Sequence, residues 1–224
     1  MIELAPRFIV LEGQGMSGKS EQTKRLSATL ANCGISVTAT KHPGGIPSTF
    51  ALAEELKRRK AEEPDFPVED QFNLMARSLD LLQEEATMPA LMRGDWVVQD
   101  RSWSTVEVYQ GYEGGFPLKE IRARKAKSLE PDLNIFLCVP PKEIIDRTHS
   151  VAEKAGREIH AFNPTDLNIL TLRHEAYIKV ATRNKLEDWR IIDGIGTREE
   201  VANKIWGIVA NKFGLGVDRR LVTI

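Results

Sequence analysis

Five short runs of apolar or β-branched residues alternate with longer stretches in which apolar positions recur every three or four residues. The runs are Phe8–Leu11, Val37–Thr40, Trp96–Gln99, Leu133–Val139 and Trp189–Ile192. Each is short enough for a strand, and the near-continuous ones read as strands buried on both faces. Helical spacing fills the intervals: Leu26, Leu30 and Cys33; Leu52 and Leu56; Phe72, Met75, Leu79 and Leu82; Ile144 and Ile145; Leu170 and Tyr177; Val201, Ile205, Ile208 and Val209. These predict helices over about 19–33, 48–60, 69–93, 104–112, 118–128, 141–155, 165–184 and 198–213. Ser48 or Thr49 is the expected cap of the second, and Pro89 the expected late break or kink in the third. Strand and helix alternating throughout implies one α/β domain over residues 1–224, a doubly wound five-stranded parallel sheet with helices on both faces.

The connections are uneven. Ala61–Pro67 reads as a linker, and Gly111, Gly114 and Gly115 as a loose connection. The basic helix 118–128 reads as a solvated face. Residues 149–164 are polar, with Lys154, Arg157 and His160, and suit a mobile lid as well as a plain loop.

Composition narrows the class without naming a chemistry. The chain has 224 residues, 42% hydrophobic and 28% charged, with a formal net charge of −1. That balance disfavours nucleic-acid binding by bulk electrostatics. The two cysteines, Cys33 and Cys138, fit no metal spacing and are expected as buried free thiols. No signal-peptide pattern opens the sequence and no apolar run reaches membrane-spanning length, so a cytoplasmic protein without a membrane partner is expected.

The chemistry concentrates at the ends of the predicted strands. Phe8–Leu11 leads into Gly13-x-x-x-x-Gly18-Lys19-Ser20, followed by a helix: the strand, glycine-rich turn and helix of a phosphate-binding loop. Its main-chain N–H groups can curl around an anion, and the helix adds the positive end of its dipole. Lys19 supplies a point charge for the outer phosphates, and the Ser20 hydroxyl a ligand for Mg²⁺. Asp100, at the tip of the Trp96 strand, is placed to hold hydrated Mg²⁺, and Arg101 presents a fork to a phosphate. Lys41-His42-Pro43-Gly44-Gly45 closes the second strand at the same edge, and Thr105, Tyr109 and Gln110 fall nearby.

The stretches FIVLEGQGMSGKSEQTKRL, TKHPGG, PALMRGDWVVQDR, VYQG and PDLNIFLCV, in this order, resemble the thymidylate kinase family of P-loop nucleoside monophosphate kinases. The likeness covers roughly residues 7–210. It implies a P-loop NTPase fold with a lid at about 149–164, Mg²⁺, ATP as phosphoryl donor and a nucleoside monophosphate, dTMP first, as acceptor. It implies ATP binding by Gly13, Gln14, Gly15, Met16, Ser17, Gly18, Lys19, Ser20 and Glu21, with Ser20 and Asp100 on the metal. It implies catalytic roles for Lys19, Arg101 and the lid residue Arg157. The acceptor would be lined by Lys41, Pro43, Met75, Arg77, Leu79, Arg101, Thr105, Tyr109 and Gln110, and a homodimer is expected by analogy.

The sequence departs from that pattern in places. Gly15 stands where the family carries an acid, Met16 where it has glycine, Glu21 where it has Thr, His42 where it has an acid and Cys138 where it has Asp. Met75 and Leu79 align with the pocket Phe and Arg, while Arg77 is offset by two. These changes leave open an altered acceptor, or an ATP-binding relative with little turnover.

Overall fold

The computed structural model describes residues 5–156, 165–183 and 187–216. Five strands, β1 (Phe8–Glu12), β2 (Val37–Lys41), β3 (Trp96–Asp100), β4 (Leu133–Cys138) and β5 (Trp189–Asp193), pair in the order β2-β3-β1-β4-β5. Every pairing is parallel. The chain builds the β2–β3 side first and then crosses β1 to add β4 and β5. Ligands collect at such a switch point, beyond the carboxyl ends of the strands.

Strand β1 is central for a physical reason. Phe8, Ile9, Val10 and Leu11 are all buried, so neither face meets water. Ile9 and Leu11 enter a core with Leu26 and Leu30 of α1 (Lys19–Asn32) and Ile205, Trp206 and Val209 of α9 (Arg198–Phe213). Phe8 and Val10 point the other way, onto Val97 and Ala90. Full burial of each such side chain contributes about 1.5–3 kcal/mol, so the base of the phosphate loop is firmly held.

Between β2 and β3 run α2 (Pro47–Glu62) and a long rod. The rod consists of α3 (Val68–Leu82), a π-helical stretch (Gln83–Thr87) and α4 (Met88–Met92). The chain stays helical through Pro89, so no break occurs there. Proline lacks an N–H and crowds the carbonyl one turn back, and the wider π turn just before it accommodates both. The cap of α2 also differs from expectation. Thr49 Oγ1 accepts from the Ile46 N–H at 3.2 Å, while Ser48 donates instead to Glu85.

After β3, α5 (Trp103–Val106) passes into a second π-helical stretch, Glu107–Glu113. Gly111 is part of it and is not loose: a Cβ there would stand 2.4 Å from Leu118 Cδ2. The basic helix, α6 (Leu118–Lys125), is shorter than expected and not simply solvated. Its Arg122 holds Glu107, Arg124 holds Asp80 and Lys125 holds Glu187.

Helix α7 (Pro141–Ala155) extends through His149–Ala155, so the first half of the expected lid is regular helix. Arg157, His160 and the rest of that segment lie outside the described residues. Helix α8 (Leu167–Arg183) starts on Asp166, whose carboxylate accepts from the N–H groups of Asn168 and Ile169. Cys33 and Cys138 form no disulfide among the described residues and are half-buried rather than fully buried. Among the described residues no helix is long and apolar enough to cross a membrane.

Candidate active site

Register places the chemistry in one row. Leu11 and Lys41 both pair with Asp100, so the ends of β1, β2 and β3 line up, with Glu12 and Arg101 one step beyond. The loop from Gly13 to Gly18 turns back over this edge. Gly13 has φ of 146°, and a Cβ would stand 3.0 Å from both the Leu137 carbonyl oxygen and Ser17 Oγ. Met16 occupies the left-handed region at φ 63°, which costs a residue with a side chain roughly 1–2 kcal/mol. Its side chain packs against Val139, Ile144 and Leu170, and that burial offsets the strain.

Lys19 is buried, and its Nζ donates to the Gln14 carbonyl at 2.6 Å and to Ser17 Oγ at 3.2 Å. Burial, and then the neighbouring charge of Arg101, push its pKa down to about 7. Ser20 Oγ donates to Asp100 Oδ2. The other carboxylate oxygen, Asp100 Oδ1, is buried without a partner among the described residues.

Arg101 sits at φ 72°, with its N–H on the Leu11 carbonyl at 2.9 Å. Among the described residues its guanidinium reaches hydroxyls only, Thr105 Oγ1 at 3.2 Å and Tyr177 Oη at 3.4 Å, and lies 5.5 Å from the Tyr109 ring centroid. A fork of N–H donors without a carboxylate is suited to an arriving anion. Below it, Glu12 is fully buried and accepts from the Ser102 N–H at 2.8 Å and Thr105 Oγ1 at 2.7 Å. Burial raises its pKa to about 7 against the pull of those donors and of Arg101. His42 is fully buried too. Its Nε2–H donates to the Met75 carbonyl at 3.2 Å, and burial lowers its pKa to about 3, so the ring is neutral.

Two cavities open on this edge. The larger, about 890 Å³, is lined by Gly15 to Gln22, Asp100, Arg147 and the Gly194–Val201 region. The second, about 320 Å³, is lined by Lys41, His42, Pro43, Phe50, Met75, Arg101, Thr105, Tyr109 and Gln110, among others. Lys41 and Arg101 line both. The two chambers therefore meet at two cations, one ammonium and one guanidinium.

Most of the expected site residues thus converge. Gly15 to Glu21 line the first cavity, while Gly13 shapes the turn and Gln14 supplies a carbonyl to Lys19. Two acceptor residues lie elsewhere. Arg77 is exposed on the outer face of α3, in a separate groove with Asn73, Asp80 and Arg124. Leu79 is buried in the core with Phe72, Trp103 and Phe116. Helical geometry explains Arg77: at about 100° per residue, two positions past Met75 is nearly the opposite face. Glu12, Tyr177, Arg147 and His42 were missed as site residues. Glu12 left a signal, a carboxylate ending an otherwise apolar strand directly before the loop, and His42 another, its place in the turn that closes β2.

An all-parallel sheet with a glycine-rich loop leaving its central strand, and Lys, Ser and Asp gathered beneath that loop, defines a P-loop NTPase fold. The family model for thymidylate kinase matches residues 11–205. The chain is 29% identical over 214 residues to a thymidylate kinase of Syntrophotalea carbinolica, covering 93% of this chain and 97% of that one. It is 28% identical over 213 residues to one of Carboxydothermus hydrogenoformans, at 93% and 98% coverage. It is also 34% identical over 158 residues to one of Synechococcus sp. strain CC9902, at 66% and 74%. The chain belongs to the thymidylate kinase family.

Proposed function

We propose that the protein transfers the γ-phosphoryl group of ATP to dTMP, forming dTDP and ADP. The observation that carries this reading is the meeting of the two cavities at Lys41 and Arg101. ATP fits the larger chamber, its phosphates under the Gly13–Ser20 loop with Lys19 on the outer ones. The monophosphate fits the smaller chamber, its phosphate on Lys41 and Arg101. Pro43, Met75, Thr105, Tyr109 and Gln110 border the nucleoside.

The donors at Ser20 and Asp100 suit Mg²⁺. A hydroxyl and a carboxylate with one unpartnered buried oxygen are hard oxygen ligands, and Mg²⁺ is ordinarily held by one or two such groups plus substrate phosphates. Among the described residues no cluster of three His, Cys, Asp or Glu side chains competes for a metal. When bound, the ion would neutralise charge on the transferring phosphates.

No side-chain nucleophile is needed, since an oxygen of the acceptor phosphate attacks. The protein contributes positioning and charge. Lys19 and Arg101 stabilise charge on the phosphoryl group from the two sides, and Glu12 and Thr105 form the buried floor beneath Arg101. The test is a coupled ADP-release assay with ATP and a panel of monophosphates. Turnover with dTMP is expected, and absence of product from every monophosphate would overturn the proposal.

A further inference from the structure

We infer that α8 sets the spacing between the donor loop and the acceptor guanidinium, with Gln14 and Tyr177 as positioning residues at either end of it. The inference rests on the phosphoryl-transfer reading and concerns how its two anion-holding groups are kept in register.

At one end, the Gln14 side chain donates from Nε2 to the Leu170 carbonyl at 3.1 Å, a buried bond. Met16 packs on the cluster that contains Leu170. Both loop residues therefore lean on the first turns of α8. Seven residues on, two turns along the same face, stands Tyr177, fully buried. Its ring stacks on Phe136 with centroids 5.1 Å apart and planes at 16°, so the hydroxyl has little freedom.

Donor counting gives the bonds a direction. The Thr105 hydroxyl proton goes to Glu12 Oε2. The Tyr177 hydroxyl then donates to Thr105 Oγ1 at 2.9 Å, and each oxygen accepts from Arg101 Nη1. Arg101, in a left-handed backbone conformation and with no carboxylate partner among the described residues, is aimed by these two hydroxyls. Seven residues of helix span about 10 Å, a rigid ruler between the loop and the fork. In this chemistry a displacement of about 1 Å can cost on the order of 100-fold.

Tyr177→Phe removes only the hydroxyl. With dTMP as acceptor, the expected result is a kcat lowered at least ~10-fold and a raised KM for dTMP, with the KM for ATP within about 2-fold. Gln14→Leu should show the opposite split, a raised KM for ATP and an unchanged KM for dTMP. The order parameter of the Arg101 Nε–H group, from side-chain ¹⁵N relaxation, should fall in Tyr177→Phe. A Tyr177→Phe protein that loses thermal stability but keeps kcat, both KM values and Arg101 order would overturn the inference, since Tyr177 would then be core packing alone. If the wild-type protein turns over no monophosphate, the functional reading fails, and Arg101 order in the variant still decides this one.

Discussion

Glu12 is a carboxylate at the carboxyl end of a fully buried strand, held by one main-chain N–H and one hydroxyl. Its pKa, raised from 4.5 to about 7 chiefly by burial, makes stability depend on pH. Between these values the native state binds more protons than the unfolded chain. The group's favourable contribution is therefore complete below about 4.5 and is lost as pH rises through about 7, a swing of about 3 kcal/mol. Glu12→Gln should remove that swing. Melting temperatures from pH 4.5 to 8 should decline more steeply for the wild type than for the variant, and parallel curves would contradict the assignment. Lys19, Ser20, Asp100 and Arg101 were legible in the sequence because a spacing or a strand end marks them. The roles of Glu12 and Tyr177 were not, because their partners lie 93 and 72 residues away; Glu12 shows only as a carboxylate ending an apolar strand, and Tyr177 carries no local mark.

Local rules failed where packing decided the outcome. The first π-helical stretch keeps the long helix continuous across Pro89, the second carries Tyr109 and Gln110 to the cavity, and no pattern of apolar residues distinguishes them from α-helix. Gly111, in a glycine-rich stretch that suggests slack, marks close contact with Leu118 and Ile121 of α6. Gly111→Ala should destabilise the protein by about 1–3 kcal/mol, measured by denaturant unfolding, and raise the KM for dTMP by shifting Tyr109 and Gln110. Arg77 projects from the outer face of α3, so Arg77→Ala should leave the KM for dTMP within about 2-fold, and a larger rise in steady-state assays would place it at the acceptor. Strands and most helix bounds were legible, each to within a few residues, because their apolar periods are strong.

At the scale of the molecule, the parallel sheet follows from alternation of strand and helix, and its order puts β1 between β3 and β4. That order makes one edge hold both chambers. The sequence pointed to this edge, but the sharing of Lys41 and Arg101 between cavities needed the strand register. The most direct measurement compares Arg101→Ala with the wild type, reading kcat/KM for dTMP alongside the dissociation constant of ATP by calorimetry. Loss of the guanidinium should lower kcat/KM for dTMP by at least ~100-fold while ATP affinity stays within about 3-fold. Retained kcat/KM for dTMP, or an equal loss of ATP binding, would contradict an acceptor phosphate held at the junction of the two chambers.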